Sequence, residues 1–173
     1  MSDVVVDTNV AVVANGRGPS GTSGACIRSC LDRLRRLRTG DRFVVDDGWR
    51  ILREYRGRLS ESGQPGPGDA FLKWALQNVR NPRRCVLVTI HPRAADDEDY
   101  EEFPDTPGLH TFDRSDRKFV AAAAAHGPGT PILQATDAGW WQHRAALKRA
   151  GVTVDFICPE DIRRSRRAGG RAR

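Results

Sequence analysis

Four acidic residues stand where a folded α/β domain can gather them. Asp7 directly follows three consecutive valines, and Asp137 follows another apolar run almost as closely. Asp116 lies near the start of a predicted alanine-rich helix, and Glu54 lies in the early turns of a second predicted helix. Carboxylates brought to one edge of a sheet repel each other unless a divalent cation neutralises them. The sequence therefore predicts a divalent metal site formed by these four acids.

Two of these acids also have a purely structural interpretation. Asp7 is equally suited to cap a helical segment at Val10–Ala14, because an N-cap aspartate accepts backbone N–H groups. Glu54 is four residues from Arg50 and from Arg58, so a surface salt bridge explains it when it is considered alone. Only the convergence of the four acids in the folded chain separates these interpretations.

The elements that would position the acids alternate between strand and helix. Apolar runs predict five strands: Val4–Val6, Arg42–Val45, Cys85–Ile90, Pro131–Ala135 and Val152–Ile157. Helical apolar spacing predicts helices at Ser23–Arg38, after Asp46-Asp47, at Asp69–Val79, before His126 and at Trp140–Ala150. Such alternation predicts an α/β fold whose central parallel sheet is connected by right-handed crossovers. The carboxyl ends of its strands, where ligands bind, then share one edge.

Length and composition predict the domain organisation. The chain of 173 residues is expected to form one domain, residues 1–162, followed by a basic, disordered tail, residues 163–173. No apolar run approaches the roughly 20 residues needed to span a membrane. The first residues lack the basic stretch of a signal peptide. We therefore expect a cytoplasmic protein that has no membrane partner.

The four cysteines are predicted to be free thiols. Cys26, Cys30, Cys85 and Cys158 include no Cys-x-x-Cys pair. Cys26 and Cys30 share a helix face, but no histidine pair follows to complete a zinc site. Their expected role is that of small buried hydrophobic side chains in a reducing compartment.

Charge is distributed unevenly along the chain. Six arginines and no acid follow Ile162, while the preceding residues hold 22 basic and 22 acidic side chains. Residues 17–60 contain eleven arginines and five acids, whereas residues 96–116 contain nine acids and one arginine. A basic segment, an acidic cluster and a basic tail predict a polyanionic partner together with bound cations.

Arginines are the predicted contacts to phosphate groups. They lie on the first long helix and in the tail: Arg28, Arg35, Arg36, Arg163, Arg164, Arg166 and Arg167. Arginine can bind phosphate through two parallel hydrogen bonds, and the chain has only three lysines. A solvated helix face in a genome with an arginine-rich codon bias is the alternative explanation for the helix.

The acidic stretch from His91 to His110 is predicted to be a long loop, because it contains prolines and no apolar periodicity. Residues 96–105 hold seven acids and no basic side chain, a charge that would repel RNA. We interpret this segment as a regulatory or partner-binding surface. A solvated loop without a specific role is the alternative.

Four motifs in this order resemble those of the PIN-domain nucleases. They are Val4-Val5-Val6-Asp7-Thr8-Asn9, Ile51-Leu52-Arg53-Glu54-Tyr55, the segment Asp113–Ala121 and Thr136-Asp137. The resemblance spans nearly all of residues 3–158. It implies a three-layer α/β/α sandwich with strand order 3-2-1-4-5, in which Asp7 and Asp137 flank the point where the order reverses. The long acidic stretch before Asp113 departs from the family pattern.

The resemblance also implies an activity and a set of site residues. It implies hydrolysis of RNA phosphodiesters with Mg²⁺ or Mn²⁺, often by the toxin of a bacterial toxin–antitoxin pair. The residues that match the acidic quartet of the family are Asp7, Glu54, Asp116 and Asp137. The expected metal ligands are Asp7, Asp116 and Asp137, with Asn9, Thr136 and Asp113 in supporting positions. RNA, an antitoxin or other protein, and a second copy of the chain are the expected partners.

Other functions are compatible with parts of the sequence. A catalytically silent PIN-like module would bind RNA through its arginines, and a metal-dependent DNA nuclease would use the same acids. A phosphatase of the haloacid-dehalogenase type also uses an aspartate after its first strand. That class needs a second aspartate two residues later, where this chain has Asn9. Metal-dependent cleavage of single-stranded RNA would separate an enzyme from a silent module.

Overall fold

Strand β1 (Asp3–Val6) is the middle strand of a five-stranded parallel sheet flanked by helices. The computed structural model describes residues 2–93 and 96–170. The other strands are β2 (Arg42–Asp46), β3 (Cys85–Val88), β4 (Pro92–Arg93), β5 (Asp96–Tyr100), β6 (Pro131–Gln134) and β7 (Thr153–Phe156). The helices are α1 (Thr8–Ala14), α2 (Gly24–Thr39), α3 (Arg50–Arg58), α4 (Pro67–Asn78), α5 (Arg117–His126), α6 (Ala138–Arg149) and α7 (Pro159–Gly170). A 3₁₀ turn, Arg114–Asp116, precedes α5.

The main sheet has the strand order β3-β2-β1-β6-β7, and every neighbouring pair is parallel. The predicted α/β fold with a central parallel sheet is therefore confirmed. The predicted strand order 3-2-1-4-5 differs from this order, because the chain contains two additional short strands, β4 and β5, which form a separate antiparallel sheet. The segments predicted as the last two strands are β6 and β7. Strand β1 lies between β2 and β6, where the strand order reverses.

Successive side chains of β1 are buried on both faces of the sheet. Val5 and Val6 point to opposite faces, and both are fully buried. Strands covered by helices on both faces need apolar side chains at every position, which explains the run of valines. Helix α5 packs against β1, β2 and β6. Its buried residues Ala121 and Ala122 have small side chains, which let the helix backbone approach the sheet.

The acidic stretch before α5 contains regular structure, which corrects the prediction of a structureless loop. Strands β4 and β5 pair in an antiparallel hairpin. Tyr100, Phe103 and Phe112 are buried, and the rings of the two phenylalanines stack with their centroids 5.9 Å apart. Arg117 lies over the Phe103 ring at 4.6 Å and forms an ion pair with Asp99 at 2.8 Å. Aromatic burial thus orders a segment whose composition is mostly acidic.

The basic tail is helical as far as Gly170, so the prediction of disorder is wrong for residues 163–170. Proline at the first position and two acids in the first turn are standard signals of a helix start. Arg163 and Arg164 form ion pairs with Glu160 and Asp161 one turn earlier. Residues 171–173 of the predicted tail lie outside the described residues. No helix within residues 2–93 and 96–170 has the length and apolarity needed to cross a membrane.

Cys26 and Cys158 form a disulfide, which corrects the prediction that all four cysteines are free. The bond joins α2 to the segment that leads into α7, across a sequence separation of 132 residues. Cys30 and Cys85 are buried free thiols. A spacing of that length carries no local signal, so the pairing is visible only in the folded chain.

Candidate active site

The carboxyl ends of β1 and β6 lie side by side and bring Asp7 and Asp137 to one edge of the sheet. The two strands are parallel, with Val6 opposite Leu133. The backbone N–H of Asp7 donates to the carbonyl of Leu133 at 3.0 Å. Asn9 Oδ1 accepts the N–H of Ala135 at 3.1 Å. Asn9 therefore ties the two strand ends together at the place where both acids emerge.

Asp7 is both a helix cap and a buried carboxylate that faces other acids. Its Oδ1 accepts the backbone N–H of Asn9 at 2.8 Å at the N-cap of α1, and only 4% of the residue is exposed. Burial raises the pKa of Asp7 well above its ordinary value, and the charges of Asp116, Glu54 and Asp137 add to this effect. The two interpretations of Asp7, as a cap and as a site acid, are thus compatible.

Asp116 ends the 3₁₀ turn and lies directly before α5. Burial, followed by the charges of Asp137, Asp113 and Glu54, raises its pKa to about 7. The indole Nε1 of Trp140 donates to Asp116 Oδ2 at 2.8 Å and opposes part of this shift. Trp140 is fully buried, so its orientation is fixed by packing. Sequence reasoning placed Trp140 only at the start of a helix and missed this contact.

Glu54 forms an ion pair with Lys118, whose Nζ lies 2.5 Å from Glu54 Oε2. The predicted surface salt bridge of Glu54 therefore has the wrong partner, since Lys118 comes from α5 rather than from the same helix. Lys118 is buried and also donates to the carbonyl of Ser115. In the sequence, Lys118 stands two residues after Asp116. This short spacing was the only sequence signal that connected Lys118 to the site.

Helix α3 is held in position for Glu54 by contacts at the ends of β1 and β2. Asp46, the last residue of β2, accepts the N–H groups of Arg50 and Ile51 at 2.8 and 2.9 Å. The buried hydroxyl of Tyr55 donates to the carbonyl of Val6 at 2.7 Å. Burial, and then the charges of Asp7 and Glu54, raise the pKa of Tyr55 well above its ordinary value. The Tyr55 hydroxyl therefore stays protonated and holds its bond to β1.

The remaining predicted site residues occupy the rim of this edge. Asp137 caps α6, and its Oδ1 accepts the N–H groups of Gly139 and Trp140 at 2.6 and 3.3 Å. Asp113 caps the 3₁₀ turn by accepting the N–H of Ser115 at 2.9 Å. Thr136 is half-buried and lines, with Asp137, a cleft of about 460 Å³.

The α7 helix and the loop before α2 also line that cleft. Arg164 and Ser165 of α7 line it together with the loop residues 19–22. The cleft therefore joins one of the predicted phosphate-binding arginines to Asp137. This connection depends on helix α7, which the sequence analysis treated as a disordered tail.

Thr8 contributes a buried hydroxyl beside Asp7. Its Oγ1 has no hydrogen-bond partner within the described part of the chain, although the residue is only 3% exposed. Buried hydroxyl groups are normally hydrogen-bonded, so an unpaired one indicates a place where a bound ligand or water supplies the partner. Thr8 is thus a buried, unpaired hydroxyl next to Asp7 in the chain, which sequence reasoning did not single out.

The carboxylates interact electrostatically but do not form a closed ligand shell. We compared the ligand atoms of the His, Cys, Asp and Glu side chains within residues 2–93 and 96–170. One group of at least three such side chains has all its ligand atoms within 4.8 Å of one another, and it consists of cysteines. Asp7, Asp116 and Asp137 are therefore more widely spaced as a set.

The predicted phosphate-binding arginines do not form one surface. Helix α7 follows β7, so Arg163, Arg164, Arg166 and Arg167 lie on an exposed helix at the carboxylate edge. Arg28 is exposed in the first turns of α2, whose N-terminal Ser23 donates its N–H to Asp161 of α7. Arg36 instead lines a cavity of about 450 Å³ with Ser2 and Pro131, at the opposite edge of the sheet. Arg35 is its exposed neighbour and forms an ion pair with Asp32 at 3.5 Å.

The raised pKa of Asp116 predicts how stability depends on pH when no divalent metal is present. The pKa is raised in the folded protein from 3.8 to about 7, so between these values the folded state holds more protons than the unfolded state. The free energy of unfolding should therefore decrease as the pH rises through this window, by up to about 4 kcal/mol. Urea unfolding in EDTA across the window measures this. Asp116→Asn should make this decrease smaller, and a variant with the same decrease as wild type would contradict the prediction.

No protein-family model, curated protein or solved structure matches this chain. The resemblance to PIN-domain nucleases therefore remains a prediction that rests on its four sequence motifs.

Proposed function

We propose that this protein is a divalent-metal-dependent nuclease that hydrolyses single-stranded RNA. The observation that carries the proposal is the convergence of four acids from distant parts of the chain. Asp116, Glu54 and Asp137 each add to the raised pKa of the buried Asp7 carboxyl. Like charges gathered in a buried place are costly to the fold, and a bound cation would offset that cost.

The donor set suits Mg²⁺ or Mn²⁺, because its members are carboxylate and hydroxyl oxygens, the ligands that such hard cations prefer. Asp7 and Asp116 would hold the cation directly, and Asp137 and Glu54 would act directly or through water. When bound, the cation would polarise a phosphate oxygen and lower the pKa of a coordinated water.

Neighbouring side chains would keep these acids in position. Trp140 orients the Asp116 carboxylate through its 2.8 Å hydrogen bond, and Lys118 fixes Glu54 through their ion pair. Asn9 holds the ends of β1 and β6 together. Removing such supporting contacts around a metal site typically costs about 10–100-fold in metal affinity or activity.

One cleavage experiment tests the proposal. Single-stranded RNA and DNA of the same sequence would be incubated with the protein in Mg²⁺, in Mn²⁺ and in EDTA. The proposal expects cleavage of RNA that requires the metal and stops in EDTA. Cleavage of DNA but not RNA would favour the metal-dependent DNA nuclease. Binding of RNA without cleavage in any metal would overturn the enzymatic proposal.

The ion pair between Lys118 and Glu54 favours a second candidate, the catalytically silent RNA-binding module. A cationic side chain already neutralises one of the four acids. In a silent module this pairing would reduce the repulsion without any metal. The assignment as a toxin, the antitoxin partner, the homodimer and the cytoplasmic location all remain predictions.

Helix α7 is expected to strengthen RNA binding through its exposed arginines. Replacing Arg166 and Arg167 by glutamine should weaken RNA binding. It should also reduce the slope of the log binding constant against the log salt concentration, by about 0.7 for each phosphate group that the variant no longer neutralises. Filter binding across a salt series measures the slope. Arg80→Gln with Arg83→Gln is the matched control, because this exposed pair precedes β3 at the opposite edge of the sheet. An equal slope in wild type and the α7 variant would contradict the prediction.

A further inference from the structure

Three cysteine sulfurs gather in one buried place between α2 and α7. Cys26 and Cys30 are one turn apart on α2, and Cys158 lies directly before α7. Cys26 is bonded to Cys158, and the Cys30 sulfur lies 4.0 Å from the Cys158 sulfur. All three sulfurs lie within 4.8 Å of one another. The disulfide explains why the Cys26 and Cys158 sulfurs are close together, but it does not explain the position of the Cys30 sulfur.

Cys30 is a poor partner for exchange with the disulfide. Burial, with a smaller contribution from the charge of Asp161, raises the pKa of the Cys30 thiol to about 12. A thiol that stays protonated is a weak nucleophile, because the thiolate is the form that attacks a disulfide. Cys85 is also a buried thiol, but it is not part of the cysteine group. Cys30 therefore differs from Cys85 by its sulfur neighbours rather than by its burial.

The separation of the Cys30 and Cys158 sulfurs matches the spacing in a site for a thiophilic metal ion. Tetrahedral zinc–thiolate sites have Zn–S bonds of about 2.3 Å, which place neighbouring sulfurs about 3.8 Å apart. The 4.0 Å separation of Cys30 and Cys158 is close to that value. Two ligands one turn apart on a helix face, joined by a third from a distant segment, form a buried three-thiol set. Asp161, whose charge acts on Cys30, adds negative charge beside it.

We propose that the reduced protein binds one Zn²⁺ ion through the thiolates of Cys26, Cys30 and Cys158, and that the Cys26–Cys158 disulfide is the oxidised, metal-free state of the same site. The oxidant that converts the reduced state to the oxidised state would be a small disulfide such as oxidised glutathione. The thiolates of Cys26 and Cys158 give two electrons to the oxidant and form their S–S bond. The oxidant takes up two protons and leaves as two thiols, the Cys30 thiolate takes up one proton, and Zn²⁺ is released.

The site would join α2 to the start of α7 in both states. In the oxidised state the covalent bond makes this connection, and in the reduced state the metal would make it. Asp161 accepts the N–H of Ser23 at 2.7 Å and packs the same two segments together. Arg164, on the next turn of α7, lines the cleft that contains Asp137. Whether the cysteine site is oxidised or metal-bound would therefore affect the position of α7, which lines this cleft.

Cobalt binding to the reduced protein tests the proposal. The full chain would be reduced without oxygen, stripped of metal and titrated with Co²⁺, whose thiolate complexes give a charge-transfer absorption that carboxylate complexes lack. Wild type is expected to bind one Co²⁺ with this absorption and to release it to Zn²⁺. Cys30→Ser should bind Co²⁺ at least tenfold more weakly. Cys85→Ser is the matched control and should bind like wild type.

Two further measurements keep the test decisive. Asp7→Asn should leave the cobalt–thiolate absorption unchanged, which separates this site from the proposed carboxylate site. Should Cys30→Ser fail to fold, the protection of wild-type cysteines by Zn²⁺ against alkylation, read by mass spectrometry, replaces it. Cys26, Cys30 and Cys158 should be protected and Cys85 should not. No thiolate absorption in the reduced wild type, undiminished binding by Cys30→Ser, or absent protection would overturn the proposal.

Discussion

Asp7→Asn should abolish metal-dependent RNA cleavage while leaving the metal-free fold intact. Asparagine removes the charge that would bind the cation, so cleavage should fall by at least about 100-fold, more than the loss typical of a supporting residue. Divalent metal stabilises the protein only by binding the folded state. The rise in Tm that Mg²⁺ or Mn²⁺ produces in wild type should therefore disappear in the variant. Cleavage assays and thermal melts at increasing metal concentration measure both effects.

The metal-free variant should melt no lower than wild type, for two reasons. Asparagine is as good an N-cap as aspartate, so its side-chain oxygen can keep the hydrogen bond from the N–H of Asn9. The variant also removes a buried charge that Asp116, Glu54 and Asp137 oppose. The Tm in EDTA is thus expected to equal or exceed that of wild type, which distinguishes a site acid from a residue needed only for folding.

Asp116→Asn should behave in the same way as Asp7→Asn, and Asp32→Asn serves as the matched control. Asp32 is an exposed acid on α2, paired only loosely with Arg35. Its replacement should change neither cleavage nor the response to metal. Normal cleavage by Asp7→Asn would remove the nuclease site from these residues. Collapse of its metal-free fold would make Asp7 a structural cap only.

Gly68→Ala should destabilise the protein by about 3 kcal/mol or more, because its methyl group has no room. A Cβ at Gly68 would lie 2.0 Å from the backbone oxygen of Ala11 and 2.7 Å from its carbonyl carbon. The obstacle is backbone, so no side-chain rotation relieves it, and helices α1 and α4 must move apart. In a chain of this size the Tm should fall by roughly 6–12 °C. Urea unfolding and thermal melts measure the loss.

Gly57→Ala is the matched control for this prediction. Gly57 lies within α3, and a Cβ there meets nothing within 4 Å. Alanine is favoured over glycine in a helix, so this variant should be more stable than wild type by about 0.5–1 kcal/mol. A Gly68→Ala variant as stable as wild type would show that α1 and α4 adjust freely. Because α1 begins directly after Asp7, the displacement is also expected to weaken RNA cleavage.

The N-termini of two helices help the fold to accommodate the acids at this edge of the sheet. Asp7 caps α1 by accepting one backbone N–H group, and Asp137 caps α6 by accepting two. The partial positive charge of a helix N-terminus stabilises a carboxylate beside it. Asp116 lacks a capping hydrogen bond and instead receives the indole N–H of Trp140. The site therefore holds its acids with local hydrogen bonds from the chain itself.

The sequence by itself determined the fold class and the positions of the strand-end acids. Apolar runs and helical spacing are local patterns, and each is set by residues within a few positions of one another. Consecutive valines before Asp7 indicated a buried parallel strand. Because all strands of a parallel sheet end at one edge, Asp7 and Asp137 could be expected to meet there. The start of α7 at Pro159 also has a local signal, but the arginines that follow it favoured a prediction of disorder.

The tertiary structure alone decided the partners of these residues. Glu54 pairs with Lys118, Asp116 receives a bond from Trp140, and Cys26 is joined to Cys158. Each pair is separated by at least 24 residues. Such contacts depend on how whole helices pack against the sheet, and packing depends on shape and burial along the entire chain rather than on local spacing. The same reason explains the hairpin of β4 and β5, which buried aromatic side chains stabilise within an acidic stretch.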